Sequence, residues 1–270
     1  MINNKQFEDI KKFSLKLKKK ILYMALHAGS ASAHIWGALS ISDILSVLFK
    51  HKIKDFKSKK RHRLILSKGH ACLALYSALN LVNIINDKMI LTFEKDNSDL
   101  AGHPVKNNKI GIDFSTGSLG MGLSIGIGLA ISSKKKNLGN NVYVIMGDGE
   151  CNEGSVWEAV MSASKFKLDN LFLIIDRNNY QQTGPSKEIM NMANLKYKFK
   201  SFGWEAEIIE GHDIKKISKY FDKKSILNKP KVLIANTVKG KGISFFEGNN
   251  SWHHSILTQK TYEKALVEIK

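Results

Sequence analysis

Between residues 5 and 28 the apolar positions Phe7, Ile10, Phe13, Leu17, Ile21 and Met24 recur at intervals of three and four, with lysines between them. That spacing lines one face of a 3.6-residue helix and predicts an amphipathic helix with a solvated back. A further helix is expected over 41–49, where Ser40, Ile41, Ser42 and Asp43 supply cap signals. The short apolar run 63–67 reads as a buried strand, 71–82 as a helix and 111–117 as a loop. Over 118–132, a predicted helix, Gly122, Gly126 and Ala130 stand four apart. Such a face lets another element approach the helix backbone closely.

From residue 142 the pattern becomes regular. Strands are expected at 142–146, 171–176 and 232–237, a helix from about 153 to 166, and a turn region over 203–213. Strands alternating with helices imply an α/β fold, a parallel sheet flanked by helices on both faces. No repeat or low-complexity linker interrupts the chain, so one domain is expected over 1–270, with the tail from Lys239 wrapping its surface.

Composition narrows the class. A hydrophobic fraction of 43% with only 3 prolines excludes a disordered or collagen-like chain. There is no 18-residue apolar run, and the charged stretch from Lys5 to Lys20 lacks the apolar core of a secretory signal. Two cysteines, Cys72 and Cys151, make no disulfide framework and read as inert small residues of a reducing, cytoplasmic compartment. The net charge of +18 raises nucleic-acid binding as a question. It is carried by lysines spread along the chain, with arginine only at 61, 63 and 177, so bidentate readers of bases and phosphates are scarce. Only the runs 16–20 and 57–63 remain as candidates, and neither nucleic acid nor membrane is expected as a partner.

Chemistry concentrates after the strand at 142–146. Asp148 stands between Gly147 and Gly149 at a strand end, and Asn178 follows another strand end 30 residues later. One strand–helix–strand unit of that length returns the chain to the same edge of the sheet, where ligands of open α/β sheets bind. A carboxylate and an amide oxygen, both hard donors, suit Mg²⁺ with water, a main-chain carbonyl and phosphate oxygens completing the shell. The flanking glycines let the backbone approach that ligand, and the helix opening near Glu153 presents its N-terminal dipole to an anion.

The spacing from Gly-Asp-Gly to Asn-Asn resembles the thiamine diphosphate fingerprint, and 147–159 is similar to transketolase in particular. Ser67-Lys68-Gly69-His70, Gly102-His103-Pro104, the run 115–120, Asp176-Arg177-Asn178, Gly211-His212-Asp213, the run 237–242 and Trp252-His253 fall in the family's order across the chain. The resemblance implies a diphosphate-type thiamine-binding fold. It implies that Asp148, Asn178 and the main-chain carbonyl of Tyr180 hold the metal. His70, Gly117, Ser118, Leu119, Gly149, Asn178, Lys239 and His253 would contact the cofactor, while His34, His70, His103 and His253 bind substrate hydroxyls and move protons. Imidazoles titrate near neutrality, as carbon–carbon cleavage and formation require. His27, His51 and His62 are expected to have no such role, and His212 to be a turn residue. Glu153 and Glu158 admit two readings: carboxylates at the start of a helix, or, by the resemblance, groups where two subunits meet.

Two departures from the family pattern matter. The stretch 28–40 carries Ala33 where glycine is usual and Trp36 where a small residue is usual, so a bulky ring beside His34 is expected to reshape the substrate channel. The register of His253 against His254 is open, with the distance from Lys239 favouring His253. No glutamate here is assignable as the one that activates the cofactor ring; the resemblance places it in a pyrimidine-binding domain. The expected protein is therefore the N-terminal subunit of a split transketolase. Its expected partner is the C-terminal subunit, in a two-plus-two assembly acting on sugars or sugar phosphates. The expected reaction is transfer of a two-carbon ketol group from a ketose to an aldose with thiamine diphosphate and Mg²⁺. The alternatives are a subunit of another thiamine enzyme, making a deoxysugar phosphate or decarboxylating a 2-oxo acid, and a non-catalytic basic binding protein.

Overall fold

Five strands form one parallel sheet in the computed structural model, which describes residues 2–31, 33–56, 58 and 60–269. They are β1 (Arg63–Leu66), β2 (Val142–Gly147), β3 (Leu171–Arg177), β4 (Glu205–Glu210) and β5 (Lys231–Asn236), in the order β1-β2-β3-β5-β4. The register pairs Gly147 with Asp176 and Asp176 with Ala235, so β2, β3 and β5 finish level with one another. Residues just beyond these ends therefore share one edge.

The helices are α1 (Asn4–Ala28), α2 (Ile35–Ser40), α3 (Ser42–Val47), α4 (Cys72–Leu81), α5 (Asp87–Ile90), α6 (Gly122–Lys135), α7 (Gly154–Lys165), α8 (Ser186–Ile189), α9 (Leu195–Ser201), α10 (Ile214–Asp222) and α11 (Gln259–Glu268). Successive strand side chains point to opposite faces, and the two cores follow that alternation. Tyr143, Ile145, Phe172, Ile174 and Leu233 join the core built with α1–α4 and α10. Val142, Val144, Leu171, Leu173 and Val232 join the other, against α6, α7 and α9. The strands are buried on both faces, which is why they read as continuous apolar runs. The small face of α6 does bring it close to the sheet: a Cβ on Gly126 would lie 2.5 Å from Val144 Cγ2.

Several boundaries differ from the expectations above. The 203–213 region is not all turn; it contains β4, an edge strand whose glutamates at 205, 207 and 210 conceal the alternation and, as edge charges do, discourage further pairing. The helix expected over 41–49 is α3 followed by a π-helical turn, Leu48–Lys52. The tail beyond Lys239 does more than wrap the surface, since Ile243, Phe246, Leu257 and Ala265 are buried in the first core. Of the basic run 57–63, Lys57 and Lys59 lie outside the described residues, as does Ser32 of the 28–40 stretch. Within that run Arg61 and Arg63 are turned inward onto Asp113, with N–O distances of 2.8 Å each. Two of the chain's three arginines are thus committed to an internal ion pair, which weakens the nucleic-acid alternative further. Among the described residues no helix is long and apolar enough to cross a membrane.

Candidate active site

Asp148 follows the last residue of β2, and its N–H donates to the carbonyl of Asp176 at 3.2 Å. Asn178 follows the last residue of β3. A cleft of ≈ 480 Å³ opens over these strand ends, lined by Asp148, Gly149, Asn178, Tyr180 and Lys239 together with His34, His70, His103 and His253. Gly117 and Leu119 line it as well, whereas Ser118 between them is exposed and takes no part in the lining. Of the site residues expected from the sequence, Ser118 alone falls outside the cleft.

The imidazoles cluster tightly. His34 has its ring centroid 5.5 Å from His70, 6.0 Å from His103 and 5.4 Å from His253. Burial, and then the neighbouring His254, His253 and His103, lower the His34 pKa to about 3. Burial and then Lys68 push His70 well below the usual value, and burial with Lys239 lowers His253 to about 4. These three rings are neutral at pH 7, each with one nitrogen able to donate and one able to accept. His253 lines the cleft, with Nδ1 3.2 Å from Lys239 Nζ, while His254 packs its ring 4.4 Å from that of His34 without joining the lining.

Lys239 reaches the cleft from the loop after β5, donating to the carbonyls of Tyr180 at 3.2 Å and Gln181 at 3.3 Å. Burial lowers its pKa to about 8, with Lys68 adding to the shift. Asp148 Oδ2 accepts from Asn179 N–H at 3.1 Å and Ser186 Oγ at 3.0 Å, but among the described residues no cation pairs with it. Burial, reinforced by the charge of Asp176, raises its pKa to about 6. Asn178 donates from Nδ2 to Asp176 Oδ2 at 2.8 Å, which fixes the amide's orientation and leaves Oδ1 as its acceptor end.

Beneath this row lies a group whose roles were not read from the sequence. Asp176, fully buried, accepts from Lys68 Nζ at 2.5 Å, from Ser40 Oγ at 2.6 Å and from Thr237 Oγ1. Lys68 also donates to the carbonyl of Gly37 at 3.1 Å. Burial alone would raise the Asp176 carboxyl, but Lys68 and the hydroxyls hold it below the ordinary value. Lys68 and Asp176 sat inside recognised motifs; the signal available was a lone charge at the end of an apolar strand, which needs a buried partner. Gln181 and Glu150 also line the cleft and had no such signal.

Trp36 does not line the cleft. Its ring is fully buried, stacked beneath Lys239 with Nζ 4.6 Å from the centroid. Glu153 is the N-cap of α7 with no side-chain capping bond, and no acidic residue occupies that helix's first turn. Both Glu153 and Glu158 are exposed; Glu153 stands at the helix start, as one reading expects, whereas Glu158 lies beyond the first turn.

Residues 17–267 match the family model described as "Transketolase, thiamine diphosphate binding domain". The chain belongs to the transketolase family. It is 38% identical to one of the subunits of an apulose-4-phosphate transketolase from Actinobacillus succinogenes, an alignment covering 99% of this chain and 98% of that protein. A 6-deoxy-6-sulfo-D-fructose transketolase subunit of Clostridium sp. (strain MSTE9) is 36% identical over 88% of each. The solved transketolase of Campylobacter jejuni superposes with a TM-score of 0.87 at 31% identity, covering 99% of this chain and 43% of that one. This transketolase chain thus spans nearly the whole length of some relatives named as subunits and under half of the solved Campylobacter jejuni chain. The α/β fold and the thiamine diphosphate-binding assignment follow from these matches.

Proposed function

We propose that the chain is the thiamine diphosphate-binding subunit of a two-subunit transketolase, transferring a two-carbon ketol group from a ketose to an aldose. The observation that carries this reading is the cleft in which four imidazoles face Asp148, Asn178 and Lys239. Relatives aligned over nearly their whole length are themselves named as transketolase subunits, which supports a separate partner chain; assembly as two of each is the simplest closed arrangement. On this reading, residues 1–270 form one diphosphate-binding domain and the remaining domains lie on the partner.

The donor set fits the cofactor and a divalent ion. Asp148, the Asn178 amide oxygen and the Tyr180 carbonyl are hard oxygens of the kind Mg²⁺ takes, and Asp148 is buried without a cation of its own among the described residues. Among the described residues Gln181 Nε2 is a buried donor with no partner, and Asn152 Oδ1 a buried acceptor with none, both on residues lining the cleft. A Cβ on Gly149 would lie 2.8 Å from Gln181 Cγ, so the glycine keeps this approach open. Asp148, Asn178 and Tyr180 would hold Mg²⁺, while Lys239, Gln181, Gly149 and the 117–119 backbone would hold the cofactor. Thiamine diphosphate supplies the carbanion chemistry of ketol transfer. The protein's part is proton traffic and orientation. His34, His70, His103 and His253, neutral where burial has lowered them, accept or donate protons at sugar hydroxyls and the reacting carbonyl oxygen. The names of the relatives point to phosphorylated or sulfonated sugars as the substrate class.

The test is to co-express the chain with the product of the adjacent reading frame and titrate the purified complex with thiamine diphosphate and Mg²⁺ by calorimetry. Ketol transfer is then assayed over a panel of ketose phosphates, sulfo-sugars and aldoses. Saturable cofactor binding and transfer from at least one donor are expected; a complex that binds no thiamine diphosphate overturns the reading.

A further inference from the structure

The turn that carries Gly117 and Leu119 into the cleft ends at Gly120, two residues before α6 begins. Its N–H therefore has no intrahelical acceptor. Glu150 supplies one. This side chain, 2% exposed, comes from the 3₁₀ turn Gly149–Asn152 that follows β2. Its Oε1 accepts from Gly120 N–H at 2.9 Å and from the Ser67 hydroxyl, and Oε2 accepts from Gly147 N–H at 3.3 Å. One carboxylate thus joins the 117–120 turn to the ends of β1 and β2.

Gly120 is held from the other side too, its carbonyl accepting from Ser155 Oγ at 3.1 Å. It has φ +83, and a Cβ there would lie 2.6 Å from Ser155 Oγ and 2.7 Å from Glu153 Cβ. Backbone shape and both polar groups of this residue are therefore specified by its surroundings. A carboxylate is the one common side chain that only accepts, so it receives three donors from three directions without presenting a donor of its own. Hydrogen bonds to an ionised acceptor are also shorter and stronger than neutral ones. An apolar residue would fill the same space but take the acceptor from the buried Gly120 N–H and from the half-buried Gly147 N–H.

We propose that Glu150 is a positioning residue for the cofactor: it sets the 117–120 turn, and with it the backbone groups of Gly117 and Leu119, at the height needed to receive thiamine diphosphate. The inference rests on the reading of the cleft as the thiamine diphosphate site. Glu150 acts through the turn, and neither Asp148 nor the histidines depend on it for their contacts.

The experiment uses the complex with its partner subunit, comparing wild type, Glu150→Ala, Glu150→Gln and Ser67→Ala. The dissociation constant for thiamine diphosphate at saturating Mg²⁺ is measured by calorimetry, alongside the melting temperature and kcat extrapolated to saturating cofactor. Glu150→Ala is expected to weaken cofactor binding about tenfold or more, as the buried N–H of the Gly120 turn loses its acceptor. Because the amide keeps one accepting oxygen, Glu150→Gln is expected to recover most of that loss, staying within about threefold of wild type. Saturating cofactor should return kcat of the alanine variant to within about twofold of wild type, a split that a general loss of folding does not produce. Ser67→Ala removes one donor to the same carboxylate and should weaken binding about threefold; it decides the matter if the alanine variant does not assemble. Cofactor affinity unchanged or tighter in an assembled Glu150→Ala complex, or unchanged in Ser67→Ala when only that variant assembles, overturns the inference. Absence of binding in wild type instead removes the reading of the cleft, and this inference with it.

Discussion

Lys68 Nζ lies 2.5 Å from Asp176 Oδ2 at the closed floor of the cleft, with side-chain exposures of 1% and 0%. The same Asp176 oxygen receives Asn178 Nδ2, so the pair under the floor fixes the orientation of the Asn178 amide, whose Oδ1 above it accepts from Tyr180 N–H at 3.1 Å.

Removing one partner of such a pair leaves an uncompensated buried charge, which costs far more than the pair contributes. Lys68→Met is accordingly expected to destabilise the protein by about 3–5 kcal/mol. Urea unfolding at neutral pH measures this, and a loss below about 1 kcal/mol would show that Asp176 finds another neutraliser.

Asp148 is in the opposite position, a buried carboxylate with its pKa raised to about 6 from an ordinary 3.8 by burial and by Asp176. A raised pKa favours the folded state below 3.8, and that contribution is lost as pH rises through about 6. At about pH 7.5 the ionised group therefore opposes folding until a cation binds. Asp148→Asn should leave the cofactor-free protein as stable as wild type or more so, by up to about 3 kcal/mol. It should weaken Mg²⁺-dependent cofactor binding at least about tenfold. Calorimetric titration with Mg²⁺ and thiamine diphosphate checks the second part; equal affinity would remove Asp148 from the metal shell.

Asp43 carries the contrary sign. Burial pushes this carboxyl up, but the His212 hydrogen bond at 2.8 Å, Lys18 at 3.1 Å and the Ser14 hydroxyl outweigh it and hold the pKa at about 2. Stability from a lowered carboxyl is complete above 3.8 and disappears as pH falls through about 2. Asp43→Asn should thus be less stable than wild type by about 2 kcal/mol at pH 7, with the gap closing between pH 3.8 and 2. Paired urea titrations across that range test it; a gap independent of pH would assign the loss to packing alone.

Because Trp36 packs under Lys239 and outside the cleft wall, Trp36→Phe is expected to cost stability without altering substrate preference. A drop of about 1–3 kcal/mol fits a partial loss of buried volume. The ratio of kcat/KM values between two donor ketoses should remain within about twofold of wild type, and a larger change would return Trp36 to the substrate channel.

How far the sequence could be read varied with the type of interaction. The strands around Val142 and Leu171 were legible because burial on both faces demands unbroken apolar runs. β4 was not, since its alternating glutamates at an exposed edge look like a turn region. Asp148 and Asn178 were legible through the regular length of one strand–helix–strand unit. His212 sits in the turn expected for it, and from there it also donates to Asp43 and accepts from Val238 N–H at 2.9 Å, joining α3 to the loop that carries Lys239. Nothing local announces such a bond between residues far apart in the chain.

What the sequence determined by itself was periodic and local: the α/β alternation, the glycines flanking Asp148, and the family order of motifs from Ser67 to His253. These depend on the 2.0 and 3.6 residue repeats and on short-range spacing, which a linear chain records directly. The tertiary structure alone decided which polar groups meet. It put Trp36 under Lys239 and out of the cleft lining, left Ser118 out of the cleft between two neighbours that line it, and gave Glu150 its three donors. Buried polar side chains must be satisfied by whatever groups the fold brings within about 3 Å, and those partners come from strand ends and loops whose proximity is a property of the folded sheet.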